Sequence, residues 1–306
     1  MKKPESRIIT SEQREARVRA IEPLSPYPNA AIPLVSVIVA SYNQPQRLEL
    51  CLESIHRQIY PNWEIIVTDD GSDNPAVETL ARRYGAVFIT KEHNTEDGRP
   101  VKNISSVLNR GVQSSSGPLI QTLQQDHVLA PDFLLWLIRA HAPQSITWGL
   151  TDHRNIHFTL PDLASMARTV HLPEPEVRYT QHLSFGRRLL VEMTDWRNTD
   201  GLDCAFARSD WVPWDEHPNM VGQSHSWIDW VLQMHCNRAC KMLINPMMRL
   251  WHMEHEQLPD PEFWQAQLKR SYDYMMQKWT PHIWEAWIRP VLYDVRPYWE
   301  ERMKEL

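Results

Sequence analysis

Residues 35–43 read Val-Ser-Val-Ile-Val-Ala-Ser-Tyr-Asn, an almost continuous apolar run that ends in three polar residues. A run of this composition is typical of a strand that is buried on both faces of a sheet. The apolar residues of 46–58 then recur largely at helical spacing. The two segments together predict the first strand and helix of an α/β domain.

The same alternation of strand and helix continues to about residue 142. Further strands are predicted at 63–68, 86–90 and 118–123, and further helices at 77–84, 101–113 and 131–141. Such alternation predicts βαβ units, a parallel-dominated sheet and right-handed crossovers. Beyond this region the pattern predicts short strands at 202–207, 241–244 and 247–251, and helical stretches at 261–279 and 281–304.

Polar residues follow three of the predicted strands. Ser41, Tyr42 and Asn43 follow the first, Asp69 and Asp70 follow the second, and Asp126 follows the fourth. Ligands of open parallel sheets bind beyond the carboxyl ends of the strands. The sequence therefore predicts a binding site at this edge of the sheet.

The composition excludes several classes of protein. The chain has 306 residues and a formal net charge of −6, so it lacks the strongly basic footprint of a nucleic-acid-binding protein. Its four cysteines are scattered and form no disulfide framework, which favours a reducing compartment. The densest apolar run, 133–138, is too short to cross a bilayer. A cytoplasmic location without a transmembrane segment is therefore expected.

Three segments carry a resemblance to a known family. Residues 33–43 read Pro-Leu-Val-Ser-Val-Ile-Val-Ala-Ser-Tyr-Asn, residues 64–72 read Glu-Ile-Ile-Val-Thr-Asp-Asp-Gly-Ser, and residues 117–134 contain Leu-Gln-Gln-Asp-His-Val-Leu-Ala-Pro-Asp-Phe. In this order they resemble the family 2 glycosyltransferases of the GT-A fold, a Rossmann-like mixed sheet flanked by helices. The resemblance implies inverting transfer of a sugar from a nucleotide-sugar, most often a UDP-sugar, to an acceptor hydroxyl.

The resemblance also implies a domain organisation. Residues 1–33 are polar and then proline-rich, and are expected to form an N-terminal tail. Residues 34–255 would form the GT-A domain, with a nucleotide-sugar half at 34–142 and an acceptor half at 143–255. Residues 256–306 would be a C-terminal, tryptophan-rich helical extension, which packs on the domain, forms a homo-oligomer interface or offers aromatic faces to an acceptor sugar.

The same resemblance assigns residues to the nucleotide. Ser41, Tyr42 and Asn43 would line the pocket, and Asp69 would hydrogen-bond the base with Asp70 beside it. The alternative is that Asp69 and Asp70 belong to a solvated turn. Family members often place a basic residue and an asparagine near the nucleotide at the positions of Lys102 and Asn109, although a helix face explains these two equally well.

A divalent metal, Mn²⁺ or Mg²⁺, is implied by the family's Asp-x-Asp motif after the fourth strand. This chain has Gln124-Gln125-Asp126 there, so Asp126 stands at the metal-binding second position and Gln124 replaces the first aspartate. A glutamine carbonyl accepts hydrogen bonds but carries no charge. Weaker metal affinity or a compensating ligand is therefore expected, and His252 is the first candidate for that ligand. His255 is the second, and a capped or surface histidine is the alternative.

Inversion at an anomeric carbon needs a carboxylate that takes the proton of the acceptor hydroxyl. The family places it in an acidic motif that follows a Phe-Asp-Glu-like turn. Here Trp-Asp-Glu occupies 214–216, and Asp229 is the only acid in the later stretch 227–232. Asp229 is thus predicted to be the base and Asp215 is the second choice. The alternative for Asp215 is a turn that orders the acceptor loop.

Competing interpretations stay open or are disfavoured. A catalytically degenerate module that binds a nucleotide or glycan remains open, because Gln124 and the reduced acidic motif depart from the family. A zinc site at His235, Cys236 and Cys240 is disfavoured because no second ligand pair exists. Residues 267–270 are similar to the Gln-x-x-Arg-Trp motif of processive membrane synthases, but Ser271 replaces the tryptophan. The acceptor is left undefined: a glycan, a lipid-linked sugar, a protein and a modified nucleobase all fit.

Overall fold

The computed structural model describes residues 32–101, 103–141, 143–152, 202–221, 224–253 and 260–279. Lys102 and His255 lie outside these residues, as do nearly all of the predicted tail, residues 153–201 of the predicted acceptor half, and the extension beyond 279.

Ten strands and six helices are defined among the described residues. The strands are β1 (Val35–Ser41), β2 (Trp63–Asp69), β3 (Val87–Thr90), β4 (Asn94–Glu96), β5 (Arg99–Val101), β6 (Leu119–Gln124), β7 (His127–Leu129), β8 (Ser145–Asp152), β9 (Cys204–Ala207) and β10 (Lys241–His252). The helices are α1 (Pro45–His56), α2 (Ala76–Arg83), α3 (Ile104–Ser114), α4 (Phe133–Ala140), α5 (Ser224–Arg238) and α6 (Pro261–Lys278).

Eight strands form one mixed sheet in the order β3-β2-β1-β6-β9-β8-β10-β7. Strands β3, β2, β1 and β6 pair in parallel, as do β8 and β10, whereas β9 and β7 pair antiparallel with their neighbours. The predicted α/β class with a parallel-dominated sheet is confirmed.

The sequence patterns missed several features of the strands, among them β7 at the edge of the large sheet. Strand β8 was not predicted, and neither was the hairpin of β4 and β5, which turns at Asp97 and Gly98 with φ angles of 52° and 71°. The two predicted strands at 241–251 form one strand, β10, whose register against β8 shifts between Ile244 and Arg249. Pro246 lies inside that shift, where a residue without an amide hydrogen is tolerated.

Strand β1 is buried on both of its faces, and each face packs into a different hydrophobic cluster. Val35, Val37 and Val39 pack into one hydrophobic cluster, which also contains residues of α1, α2 and α4. Ile38 and Ala40 pack into a second cluster with residues of α3, α5 and α6. The two-residue alternation of side chains along a strand explains why a continuous apolar run is needed here.

The second cluster is rich in aromatic side chains. The rings of Trp214 and Trp230 stack at 4.4 Å with an interplanar angle of 13°, and Phe206 of β9 lies 5.0 Å from Trp230. The indole of Trp230 donates to the carbonyl of Val212 at 2.7 Å. These contacts fix the segment 211–216 against the sheet, and that segment carries Asp215.

Gly111 sets the distance between α3 and β1. A Cβ added at this position would clash with Cγ2 of Ile38 and lie 3.2 Å from Cγ2 of Thr68. We therefore expect Gly111→Ala to lower the free energy of unfolding by about 1–2 kcal/mol, because overpacking outweighs the helix propensity that alanine gains. Urea denaturation measures this change.

Arg110→Ala is the matched control, since Arg110 is the exposed neighbour of Gly111 on the same helix. It should change the unfolding free energy by less than about 0.5 kcal/mol. A Gly111→Ala chain as stable as the wild type would show that α3 does not pack against β1 at this distance.

Candidate nucleotide and metal site

The carboxyl ends of β1, β2 and β6 meet at one edge of the sheet. In the parallel register Ser41 lies opposite Asp69, and Ala40 lies opposite Gln124. Residues 41–43, 69–70 and 124–126, which the sequence assigned to the nucleotide and metal, are therefore close in space. The positions are brought together, while the role of each side chain stays a prediction.

Gln125 holds the loop after β1 by its amide group. Its Oε1 accepts from the hydroxyl of Ser41 at 2.9 Å and from the backbone N–H of Tyr42 at 3.0 Å. Its Nε2 donates to the carbonyl of Tyr42 at 2.8 Å. Only an amide offers an acceptor and a donor in this arrangement. Gln125 therefore fixes the loop that is predicted to line the nucleotide pocket.

Asp69 is buried and braces its own turn. Its carboxylate accepts from Ser72 twice, from the backbone N–H at 2.7 Å and from the hydroxyl at 2.5 Å. Thr90 at the end of β3 donates to the same carboxylate at 3.2 Å. The hydroxyl of Ser72 also accepts from the backbone N–H of Asn43 at 2.8 Å. Asp69 thus lies in a turn that is buried at this residue and holds the loop after β1, and its contact with a base stays a prediction.

Two residues after β3 join this edge and were missed by the sequence analysis. The ammonium of Lys91 lies 2.5 Å from a carboxylate oxygen of Asp70, and the side chain is only 6% exposed. His93 stacks on Tyr42 with ring centroids 4.6 Å apart, and its Nδ1 contacts the carbonyl of Asp70. Both residues follow a predicted strand, so the strand-end argument applied to them as well.

Asp126, His127 and His252 form a cluster whose ligand atoms all lie within 4.8 Å of one another. Asp126 Oδ1 lies 3.0 Å from His127 Nδ1, and Asp126 Oδ2 lies 3.3 Å from His252 Nε2. Antiparallel pairing of β7 and β10 places the two histidines opposite each other, and their rings stack at 4.5 Å. Burial raises the pKa of Asp126, but hydrogen bonds and charge from both histidines outweigh it and hold the pKa well below its usual value.

This donor set fits a divalent cation. One carboxylate and two imidazoles suit Mn²⁺ better than Mg²⁺, because Mg²⁺ favours oxygen ligands alone. His127 was not predicted, although it directly follows Asp126 in the sequence. Asp203, whose carboxylate lies 3.0 Å from Nε2 of His127, was not predicted either, because it lies far from His127 in the sequence.

Asn109 is buried in α3 and turned toward the segment 214–216. Its Nδ2 donates to the carbonyl of Trp214 at 2.8 Å and to Glu216 Oε1 at 2.7 Å. Its Oδ1 accepts from the backbone N–H of Trp214 at 2.8 Å. The amide is thus engaged by the Trp-Asp-Glu turn. Asn109 therefore holds the two residues that flank Asp215, and its contact with a nucleotide stays a prediction.

The two predicted candidates for the base are joined by one cation. The ammonium of Lys278, at the end of α6, lies 2.7 Å from Asp215 Oδ2 and 2.8 Å from Asp229 Oδ2. Trp279 and Gln233 also donate to Asp229, at 2.8 Å and 2.6 Å. The side chain of Asp215 is 17% exposed, whereas that of Asp229 is fully buried.

The pKa values of the two carboxyl groups shift in opposite directions. Burial raises the pKa of Asp229, and the charge of Lys278 offsets this only in part. Burial also raises the pKa of Asp215, but the hydrogen bond from Lys278 and further donors outweigh it and lower the pKa overall. Of the two carboxyl groups, Asp215 therefore has the lower pKa and the partly accessible side chain.

Comparison with known proteins identifies the family of the chain. Residues 36–208 match the profile of "Glycosyl transferase family 2". The chain is 27% identical to the glycosyltransferase AglE of Haloferax volcanii over 202 residues, which is 64% of this chain and 60% of that protein. It is 25% identical to the chondroitin synthase of Pasteurella multocida over 174 residues, 56% of this chain and 17% of that protein. The matches thus span 60% or less of these relatives.

Two solved structures share the fold. The mannosyltransferase PcManGT from Pyrobaculum calidifontis, in complex with GDP-Man and Mn²⁺, aligns with a TM-score of 0.52 and 14% identity over 92% of this chain and 74% of that chain. Glucosyl-3-phosphoglycerate synthase from Mycobacterium tuberculosis, with Mn²⁺, UDP and glucosyl-3-phosphoglycerate, aligns with a TM-score of 0.51 and 16% identity, over 82% and 85% of the chains. The predicted GT-A fold is confirmed.

No helix within the described residues has the length and apolar character that crossing a membrane requires.

Gln125→Glu tests the amide clamp. A carboxylate oxygen would then face the carbonyl of Tyr42, where the amide now donates, so we expect the unfolding free energy to fall by about 1–3 kcal/mol. Gln113→Glu, on the exposed side of α3, is the matched control and should change it by less than about 0.5 kcal/mol. Chemical denaturation of both variants measures the difference. Equal stability of the two variants would contradict the clamp.

Proposed function

The chain belongs to glycosyl transferase family 2, and we propose that it transfers a sugar from a nucleotide-sugar to an acceptor hydroxyl with inversion at the anomeric carbon. One observation carries this proposal: the cluster of Asp126 and His252 lies at the strand edge that also bears the loops after β1 and β2. A UDP-sugar is the favoured donor, because UDP is the nucleotide most often used by the family that the sequence resembles.

Asp126 and His252 would hold the divalent metal, and His127, whose ligand atom lies in the same cluster, would be the third ligand. The metal would supply positive charge to the pyrophosphate and so stabilise the leaving nucleotide. Mn²⁺ accompanies a nucleotide or nucleotide-sugar in both of the solved structures that share the fold, and this supports the assignment. Lys91 adds a buried cation at the same edge, next to Asp70.

The loop after β1 and the turn after β2 would receive the nucleoside. Tyr42 and Asn43 lie on the loop that Gln125 holds, and Asp69 fixes the turn that faces it. Such preorganisation lowers the cost of binding, because these groups are already ordered before the ligand arrives.

Asp215 would take the proton from the acceptor hydroxyl. The task needs a carboxylate that is ionised and can reach the acceptor. Asp229 has no exposed surface, and its oxygens accept from Lys278, Trp279 and Gln233. Asp229 would then hold Lys278 in place, a different role from the one predicted from the sequence. The partial exposure of Asp215 supports its assignment as the base in place of Asp229.

The test is donor turnover by the full chain. We expect release of UDP from a UDP-sugar in the presence of Mn²⁺, measured by an enzyme-coupled assay, with weaker support by Mg²⁺ at equal concentration. GDP-sugars serve as the comparison donors. A chain that is thermally stabilised by a nucleotide but releases none from any donor would instead be a binding module, the alternative that Gln124 motivates.

Asp215→Asn and Asp229→Asn separate the two candidates for the base. We expect Asp215→Asn to lower kcat by about 10²–10⁴-fold, because the proton acceptor is lost. It should lower the melting temperature less than Asp229→Asn does, because Asp215 is the more exposed of the two partners of Lys278. Asp229→Asn should mainly lower the melting temperature, because it leaves Lys278 with one buried partner fewer. Single-turnover kinetics and thermal denaturation measure the two effects. The reverse pattern would return the role of base to Asp229.

A further inference from the structure

Asp203 is a buried carboxylate that the proposed transfer does not use. It directly precedes β9 and is 1% exposed. A buried aspartate is rare unless it is paired, so its partners indicate its role. The hydroxyl of Thr122 contacts the carbonyls of Leu202 and Cys204, which flank Asp203 and fix its backbone.

The two oxygens of Asp203 contact the metal motif at two places. Oδ1 accepts from the backbone N–H of Gln124 at 2.8 Å, and Oδ2 lies 3.0 Å from His127 Nε2. Asp203 therefore contacts Gln124, the residue that replaces the first aspartate of the family's motif. It also contacts His127, the histidine that lies next to Asp126.

The imidazole of His127 connects Asp203 with the metal cluster. Its Nδ1 lies 3.0 Å from Asp126 Oδ1, and its ring stacks on His252 at 4.5 Å. The side chains of His127 and Asp203 are both fully buried, so water screens the charge of Asp203 little. A carboxylate behind an imidazole of a metal site sets the orientation and basicity of that imidazole.

The family's motif offers two carboxylates after the fourth strand, whereas this chain offers Gln124 and Asp126. We infer that Asp203 supplies, through His127, the negative charge that Gln124 does not, and that it is a positioning residue for the divalent cation at Asp126 and His252. The inference rests on the metal site of the proposed function. It extends that site to a strand that enters the sheet about eighty residues later in the chain.

Asp203→Asn tests the inference, because asparagine keeps an acceptor for the N–H of Gln124 and removes the charge. Mn²⁺ is titrated into the full chain without nucleotide, and free Mn²⁺ is followed by electron paramagnetic resonance. We expect the Kd for Mn²⁺ to rise by about 10–100-fold. Asp210→Asn is the matched control just beyond the other end of β9 and should leave the Kd unchanged.

A charge-restoring variant makes the test specific. Gln124→Asp in the Asp203→Asn background returns a carboxylate to the first position of the motif, and we expect it to recover most of the lost affinity. In the wild-type background the same substitution should strengthen Mn²⁺ binding by a smaller factor, because Asp203 already supplies the charge. No recovery in the double variant would overturn the inference.

Circular dichroism tests whether the Asp203→Asn variant is folded. A folded variant with the wild-type Kd would overturn the inference. If the variant does not fold, His127→Gln interrupts the same connection and should raise the Kd for Mn²⁺ by a comparable factor, and an unchanged Kd there overturns the inference equally. A wild-type chain that releases UDP but binds no Mn²⁺ would overturn the metal assignments and leave the proposed transfer standing.

Discussion

Parallel pairing of β1 with both β2 and β6 is the constraint on which the rest of the structure depends. It requires a strand with apolar side chains on both faces, and it ends three strands at the same edge. The polar residues that follow those strands lie close together as a direct consequence of this pairing. Gly111 and Gln125 are adjustments to this arrangement, one letting a helix approach β1 and the other ordering the loop that leaves it.

The candidate acidic residues lie in groups in which a carboxylate contacts a basic side chain. Asp70 pairs with Lys91, Asp126 contacts two histidines, and Asp215 shares Lys278 with a second carboxylate. Each group removes the cost of an isolated buried charge and keeps the carboxylates in fixed positions. A site built this way is ordered before substrate binds, which suits a reaction in which a charged nucleotide departs.

The sequence predicted β1, β2, β3 and β6 and the polar residues that follow β1, β2 and β6, because these depend on local periodicity. It did not predict the partners of those residues. Asp203 and His127 meet because β9 returns antiparallel to β6, and Asn109 meets Trp214 across 105 positions of sequence. Periodicity also could not show that Asp229 is fully buried next to Lys278 of α6, whereas Asp215 keeps an exposed surface. Long-range packing decides which of the two aspartates keeps an exposed surface.

The position of a bound metal tests the central claim most directly. Crystals of the full chain grown with Mn²⁺ and UDP, measured at the manganese absorption edge, locate the ion by its anomalous scattering. The account predicts a single strong peak in contact with Asp126 and His252, next to the pyrophosphate of the nucleotide. A nucleotide bound at this edge with the manganese peak elsewhere, or with none, would contradict it.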